Sequence, residues 1–135
     1  MEKYREQLIA DLKEFFSKKE DVVFAYLFGS IAYNNYNPKS DIDVAVFLEE
    51  GSKDLFDERI NLIVELEQKF KRDVDVVVLN SVNNVFLRYV IFREGILLFE
   101  RDEEPRINFE LRAMREYFDF APYIKMYTEK LLSTK

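Results

Sequence analysis

Two apolar runs separated by a short polar segment constrain this chain more than any other feature. The runs cover residues 22–28 and 42–48, and each has the length and the branched and aromatic content of a buried strand. Between them stand a Gly-Ser pair at positions 29 and 30, ten further residues, and then Asp-x-Asp at positions 41 to 43. We therefore predict two neighbouring strands whose adjoining ends carry a Gly-Ser turn and two carboxylates.

The Asp-x-Asp pair predicts a site for a divalent cation. Asp41 and Asp43 are two residues apart, so in a strand their side chains leave on the same face. Two such carboxylates repel each other unless a proton or a cation lies between them. Mg²⁺ fits, because proteins usually hold it with one or two carboxylates plus substrate phosphates. The alternative is a solvated turn, which is also typical of Asp-x-Asp at the start of a strand.

Four residues between the two strands are candidates for binding a nucleotide. Gly29 allows the backbone to approach a phosphate closely or to adopt a positive φ, and Ser30 offers a hydroxyl and a backbone N–H. Lys39 is long enough to reach a triphosphate, and a solvated loop lysine is the alternative. Ser40 contacts the nucleotide or only shapes the turn. A phosphate-binding turn and a neighbouring metal-binding strand together suit a nucleoside triphosphate.

A third carboxylate is available on a later strand. The run at 71–79 reads Lys-Arg-Asp-Val-Asp-Val-Val-Val-Leu, and its strand pattern covers 73–79. Asp73 and Asp75 share a face of that strand, so either could complete the site. Three carboxylates that hold two metal ions suit in-line phosphoryl or nucleotidyl transfer.

The other elements follow from apolar spacing. Spacings of three and four predict helices over residues 2–18, 53–70, 81–93 and 106–132. Ser52 is expected to cap the second helix, and Pro122 should kink or divide the last. A short fourth strand is expected at 96–100. The strand–helix–strand order at 42–79 suits a parallel crossover, so the predicted fold class is α/β, a small mixed sheet covered by helices with the active site at one edge of the sheet.

Composition narrows the classes of function. The length of 135 residues predicts one domain, 1–135, with a core at about 20–100 and a helical segment at about 105–132. The net charge, 20 − 26 = −6, argues against general nucleic-acid binding. The chain has no Cys and no His, so acid–base and metal chemistry fall to carboxylates, Lys or Tyr. We see no signal peptide and no run long enough to span a membrane, and we expect a cytoplasmic protein.

The motif resembles that of a known family. Gly29, Ser30, Asp41 and Asp43, with an acidic third strand, are similar to the nucleotidyltransferase superfamily built around DNA polymerase β. The short length and the Val-Asp-Val-Val-Val run resemble its minimal members, the MNT-type antitoxins found beside HEPN-domain toxins. The resemblance covers roughly residues 20 to 100. The family places its third carboxylate in a context that matches Asp75 better than Asp73.

The resemblance implies a specific activity. AMP would pass from ATP to a hydroxyl, expected to be a tyrosine, of a cognate HEPN toxin in a hetero-oligomer, and the toxin would be neutralised. The catalytic and metal-binding residues would be Asp41, Asp43 and Asp75, with two Mg²⁺ ions. One alternative is an antitoxin that acts by binding alone through the aromatic side chains at 118–127, which otherwise fit core packing. A second alternative is a small-molecule nucleotidyltransferase of the aminoglycoside-modifying type.

Overall fold

The computed structural model describes residues 2–33, 37, 39–51 and 54–133. The chain contains four helices and four strands among the described residues, and the predicted α/β class is confirmed. In chain order the elements are α1 (Glu2–Ser17), β1 (Val22–Phe28), β2 (Ile42–Leu48), α2 (Leu55–Phe70), β3 (Val74–Val78), α3 (Val85–Glu94), β4 (Ile96–Glu100) and α4 (Glu103–Ser133).

The four strands form one mixed sheet in the order β3-β2-β1-β4. β1 lies in the centre and runs antiparallel to both β2 and β4. β2 and β3 are parallel, as the long connection through α2 predicted. This topology leaves β3 at one edge of the sheet and β4 at the other.

Alternating side chains give the sheet two buried faces. Leu27, Val44 and Val46 contribute to one core, which contains Leu12 and Phe16 of α1 and Leu62 and Leu66 of α2. The intervening residues of the strands lie on the opposite face of the sheet, against α3 and α4. That second core is built from Phe24, Tyr26, Ala45, Leu79 and Ile91, with Phe109 packed against it. Because both faces are covered, β1 and β2 read as continuous apolar runs in the sequence.

Two helices begin later than their apolar spacing predicted, because side chains cap them further along the chain. Ser52, the expected cap of α2, lies outside the described residues, and α2 is capped instead by Asp54, which accepts from the N–H of Phe56 at 2.8 Å. α3 begins at Val85 rather than at 81, since the Asn84 side chain accepts from the N–H of Leu87 at 3.0 Å.

The last helix differs from its prediction at its start and at its proline. It begins at Glu103 because Asp102 accepts the N–H of Glu104 at 3.2 Å, and Pro105 falls in the first turn, where no helical hydrogen bond is lost. Pro122 does not divide the helix, which continues as one element to Ser133. A proline removes a single backbone hydrogen bond, and the rest of the helix remains on either side.

Only the first part of α4 packs on the sheet. Phe109 contacts the core, Ala113 is 1% exposed, and Tyr117 stacks on Tyr89 of α3 with 3.8 Å between ring centroids. Beyond this point the same helix carries large exposed side chains, so core packing is not their role. The exposed ones are Phe118, Phe120, Tyr123, Met126, Tyr127 and Leu131. None of the helices in the described part of the chain is long and apolar enough to cross a membrane.

Side chains of α2 cover part of the edge strand β3. The pairing of β3 with β2 directs the backbone groups of Val74 and Val76 away from β2. Glu67 accepts the N–H of Val74 at 3.2 Å, and Arg59 Nε donates to the carbonyl of Val76 at 2.6 Å. Backbone groups that would otherwise be open to another chain are thereby bonded within the molecule.

Candidate active site

The register of the sheet brings the predicted motif residues to one place. Asp43 is the partner of Phe28 across the antiparallel β1–β2 pair and of Asp75 across the parallel β2–β3 pair. Neighbouring strands lie about 4.8 Å apart, so the side chains of Asp43 and Asp75 are adjacent on one face. Gly29 follows Phe28 directly, and Asp41 stands one residue before β2.

Gly29 is packed directly beneath the carboxylate of Asp43. Its φ is +79°, a left-handed conformation that residues with a side chain rarely adopt. A Cβ at this position would lie 2.2 Å from Asp43 Oδ2. The backbone then turns, with the N–H of Tyr33 bonded to the carbonyl of Gly29 at 3.1 Å, and Ser30 lies in this turn. The glycine is therefore required both by the turn and by the position of Asp43.

Asp43 is the electrostatic centre of the cluster. Burial, followed by the nearby charges of Asp75 and then of Asp41, raises the pKa of Asp43 to about 6 from its ordinary 3.8. Asp73 is exposed and is not among these causes. Of the three carboxylates only Asp43 is half-buried, and Asp41 and Asp75 are exposed. Carboxylate oxygens that repel one another are the kind of ligand that a hard cation such as Mg²⁺ prefers.

Asp75 is held by an arginine that the sequence did not single out. Arg59 Nη2 lies 3.3 Å from Asp75 Oδ1. Among residues 2–33, 37, 39–51 and 54–133, no group of three His, Cys, Asp or Glu side chains is arranged so that it could hold a metal ion. In this arrangement the charges of Asp75 and Asp41 act on Asp43, and Asp75 is bonded to Arg59.

Lys39 and Ser40 lie in the loop that leads into β2. The side chain of Lys39 is exposed, and its backbone N–H donates to Asn37 Oδ1 at 2.7 Å. The Ser40 hydroxyl accepts the N–H of Asn37 at 2.9 Å, and the backbone N–H of Ser40 donates to the Asn37 carbonyl at 3.0 Å. Ser40 therefore shapes this turn. A nucleotide contact by either residue stays a prediction.

Two further arginines, also missed from the sequence, hold the two ends of the connection between β1 and β2. Arg5 of α1 donates from Nε to the carbonyl of Ile31 at 2.9 Å and from Nη2 to that of Ala32 at 3.0 Å. Arg72 Nε donates to the carbonyl of Ser40 at 3.0 Å. These contacts join residues far apart in sequence, and no local pattern marks an arginine whose partner is a distant carbonyl.

We expect Arg5→Ala to loosen the turn after Gly29 while the protein stays folded, and so to weaken the nucleotide binding that the sequence predicts for this turn. The two hydrogen bonds are each worth about 1 kcal/mol, so their loss should raise the KM for the nucleotide by up to about 30-fold. Lys3→Ala is the matched control, because Lys3 is an exposed residue of the same helix. Equal KM values for the two variants, measured by steady-state kinetics, would contradict the assigned role of Arg5.

The mixed sheet carries a Gly-Ser turn, an Asp-x-Asp pair and a third aspartate at one end. This arrangement is that of the nucleotidyltransferase class. The family described as "Polymerase beta, Nucleotidyltransferase" matches residues 10–104. The chain belongs to this family.

Two relatives from Methanocaldococcus jannaschii are similar in sequence. One, named "Putative protein adenylyltransferase MJ0435", is 42% identical over 65 residues, which are 48% of this chain and 68% of the relative. The other, named "Putative protein adenylyltransferase MJ1379", is 29% identical over 82 residues, 61% of this chain and 82% of the relative.

Solved structures share the fold along nearly the whole chain. A toxin-antitoxin structure with AMP-PNP matches with a TM-score of 0.72 and 21% identity over 91% of this chain and 96% of that chain. A tri-AMPylated Shewanella oneidensis HEPN toxin in complex with MNT antitoxin matches with a TM-score of 0.67 and 21% identity over 98% of this chain and 99% of that chain.

Proposed function

We propose that this chain is a protein adenylyltransferase. It transfers AMP from ATP to the hydroxyl of a tyrosine of a HEPN-type toxin, and this modification neutralises the toxin. The observation that carries the proposal is the packing of Gly29 against Asp43, with Asp75 beside it. Two relatives bear the name of this activity, and a structural match contains an AMPylated HEPN toxin with its MNT antitoxin. A cytoplasmic location suits a reaction that consumes ATP.

The chemistry of the site assigns a role to each residue. Asp41, Asp43 and Asp75 would hold two Mg²⁺ ions, which when bound would neutralise charge on the triphosphate and on the attacking oxygen. Backbone N–H groups of the turn at Gly29 and Ser30 would bind the β- and γ-phosphates. Lys39 and Ser40 would approach the same triphosphate from the loop before β2.

The transfer step is a substitution at the α-phosphorus. The acceptor oxygen forms a bond to Pα, and the bond from Pα to the oxygen that bridges Pα and Pβ breaks. Pyrophosphate leaves with that oxygen. The proton of the hydroxyl passes to the carboxylate of Asp75. Asp75 suits this role because it is 57% exposed and lies beside Asp43, so a hydroxyl can reach it from solvent.

Labelled ATP tests both the reaction and its metal requirement. The purified protein is incubated with Mg²⁺, a lysate of the source cells, and ATP labelled at either the α- or the γ-phosphate. We expect a protein band labelled only from the α-position, and we expect EDTA to abolish the labelling and added Mg²⁺ to restore it. Label from the γ-position would indicate a kinase, and activity that persists in EDTA would exclude the proposed metal site.

A double variant separates catalysis from neutralisation by binding alone. Asp41→Ala with Asp43→Ala should remove the labelled band and leave the toxin active in a growth assay. If the double variant still neutralises the toxin fully, the chain acts as a binding antitoxin. If the wild type labels small molecules of the lysate but no protein, the small-molecule alternative is correct.

A further inference from the structure

A groove runs along the outer edge of β3, between α2 and the start of α3. Its volume is about 530 Å³, within the range of about 300–1,000 Å³ that is usual for small-molecule sites. The lining is mainly apolar. Its walls include Phe56, Val82 and Leu87, and its polar residues are Arg59, Asp75 and Ser81.

The groove is continuous with the candidate active site, because Asp75 belongs to both. On one side Asp75 is the register partner of Asp43 across the β2–β3 pair. On the other it lines the groove together with Arg59, whose guanidinium is 3.3 Å from it. A group seated in the groove is therefore next to the carboxylate assigned as proton acceptor, on the side away from the Gly29 turn.

The lining discriminates among the kinds of molecule that could supply the hydroxyl. A nucleic-acid end would need several cations, and the groove contains one, Arg59, which is already bonded to Asp75 and to the carbonyl of Val76. A polycationic or polyhydroxylated small molecule would need many polar partners, and apolar walls leave such groups unpaired. A phenol has an apolar ring and one polar tip, which matches apolar walls that end at a carboxylate.

We propose that this groove is the acceptor site and that it receives the side chain of a tyrosine from the partner protein, with the phenol oxygen directed to Asp75. The proposal rests on the proposed function and specifies where its acceptor binds. Phe56 provides the main contact: it is 66% exposed although it is a large aromatic residue, and it lines the groove. Exposed aromatic rings are common at sites of protein recognition.

Binding of a minimal phenol tests the groove directly. N-acetyl-L-tyrosinamide is titrated into ¹⁵N-labelled protein, and amide shifts are expected at Ser81, Val82 and Leu87. Phe56→Ala should weaken this binding about tenfold, because an aromatic contact is lost. Val64→Ala is the control, since Val64 is a 46% exposed apolar residue of α2 that does not line the groove, and it should bind within twofold of the wild type.

The proposal is overturned if N-acetyl-L-serinamide binds as well as the tyrosine compound, if the shifts fall outside the groove, or if no binding is detected. It is also overturned if Phe56→Ala binds as tightly as Val64→Ala. Failure of the proposed function gives a different result. A wild-type protein that transfers no α-label to any acceptor, while Phe56-dependent tyrosinamide binding is present, would refute the reaction and retain the groove as a phenol site.

Discussion

Replacing Gly29 with alanine should lower the rate of nucleotidyl transfer by at least about 100-fold, since an ångström-scale displacement of catalytic groups costs about that factor. The new Cβ would stand 2.2 Å from Asp43 Oδ2, so the carboxylate must move. The positive φ adds a backbone cost of about 1–3 kcal/mol. The measurement is kcat for label transfer from α-labelled ATP, with the melting temperature of each variant recorded alongside.

The chain contains a matched control for this substitution. Gly51 also has a positive φ, +102°, but a Cβ there would meet nothing within 4 Å. It follows β2 at the end opposite Asp43, roughly 20 Å away at about 3.3 Å per residue. Gly51→Ala should therefore show a similar loss of stability and a normal transfer rate. If both variants lose activity to the same extent, backbone strain is the cause and the Gly29–Asp43 contact is not.

Asp43→Asn should lower the rate of nucleotidyl transfer by on the order of 10³-fold. The same substitution should stabilise the metal-free protein. The ionised carboxylate of Asp43 is half-buried beside two like charges, and its folded pKa of about 6 lies above the ordinary 3.8. A carboxyl group whose pKa is raised on folding destabilises the fold when it is ionised. After a discount for solvent screening we expect a gain of about 1 kcal/mol, or about 3 °C in melting temperature.

The pH dependence of that gain identifies its origin. In EDTA the difference in melting temperature between the Asn variant and the wild type should be full above about pH 7. It should shrink as the pH falls through 6 and vanish below about pH 4, where Asp43 is protonated in both the folded and the unfolded states. A difference that stays constant with pH would show that charge repulsion at Asp43 is not its source. Mg²⁺ with a non-hydrolysable ATP analogue should stabilise the wild type more than the variant.

Much of the fold could be predicted because β1 and β2 are buried on both faces. Such strands are continuous apolar runs in the sequence, and the motif between them fixes which ends meet. The parallel pairing of β2 and β3 follows from a connection long enough for a helix. With that pairing, Asp75 falls opposite Asp43, which the two-residue spacing of Asp73 and Asp75 alone could not decide.

The remaining features depend on contacts between distant residues. Arg5, Arg59 and Arg72 reach backbone carbonyls 17 to 32 residues away, and nothing local distinguishes them from solvated arginines. The sequence favours core packing for most of the aromatic side chains at 118–127 of α4, with a partner surface as the alternative. The sheet is too short to cover all of them, so Tyr123 and Tyr127 are exposed. Periodicity indicates a helical face and does not indicate what that face contacts.

The bonded edge of β3 has a consequence for how an acceptor is selected. Many proteins recognise an extended peptide by adding it as a strand to a free sheet edge, and sequence specificity then comes from alternate side chains. Here Glu67 and Arg59 already bond to the backbone of Val74 and Val76. For an acceptor that enters beside Asp75, as proposed, the N–H of Val74 and the carbonyl of Val76 are already occupied. We therefore expect the three-dimensional shape of the acceptor to matter more than any consensus sequence around the modified residue.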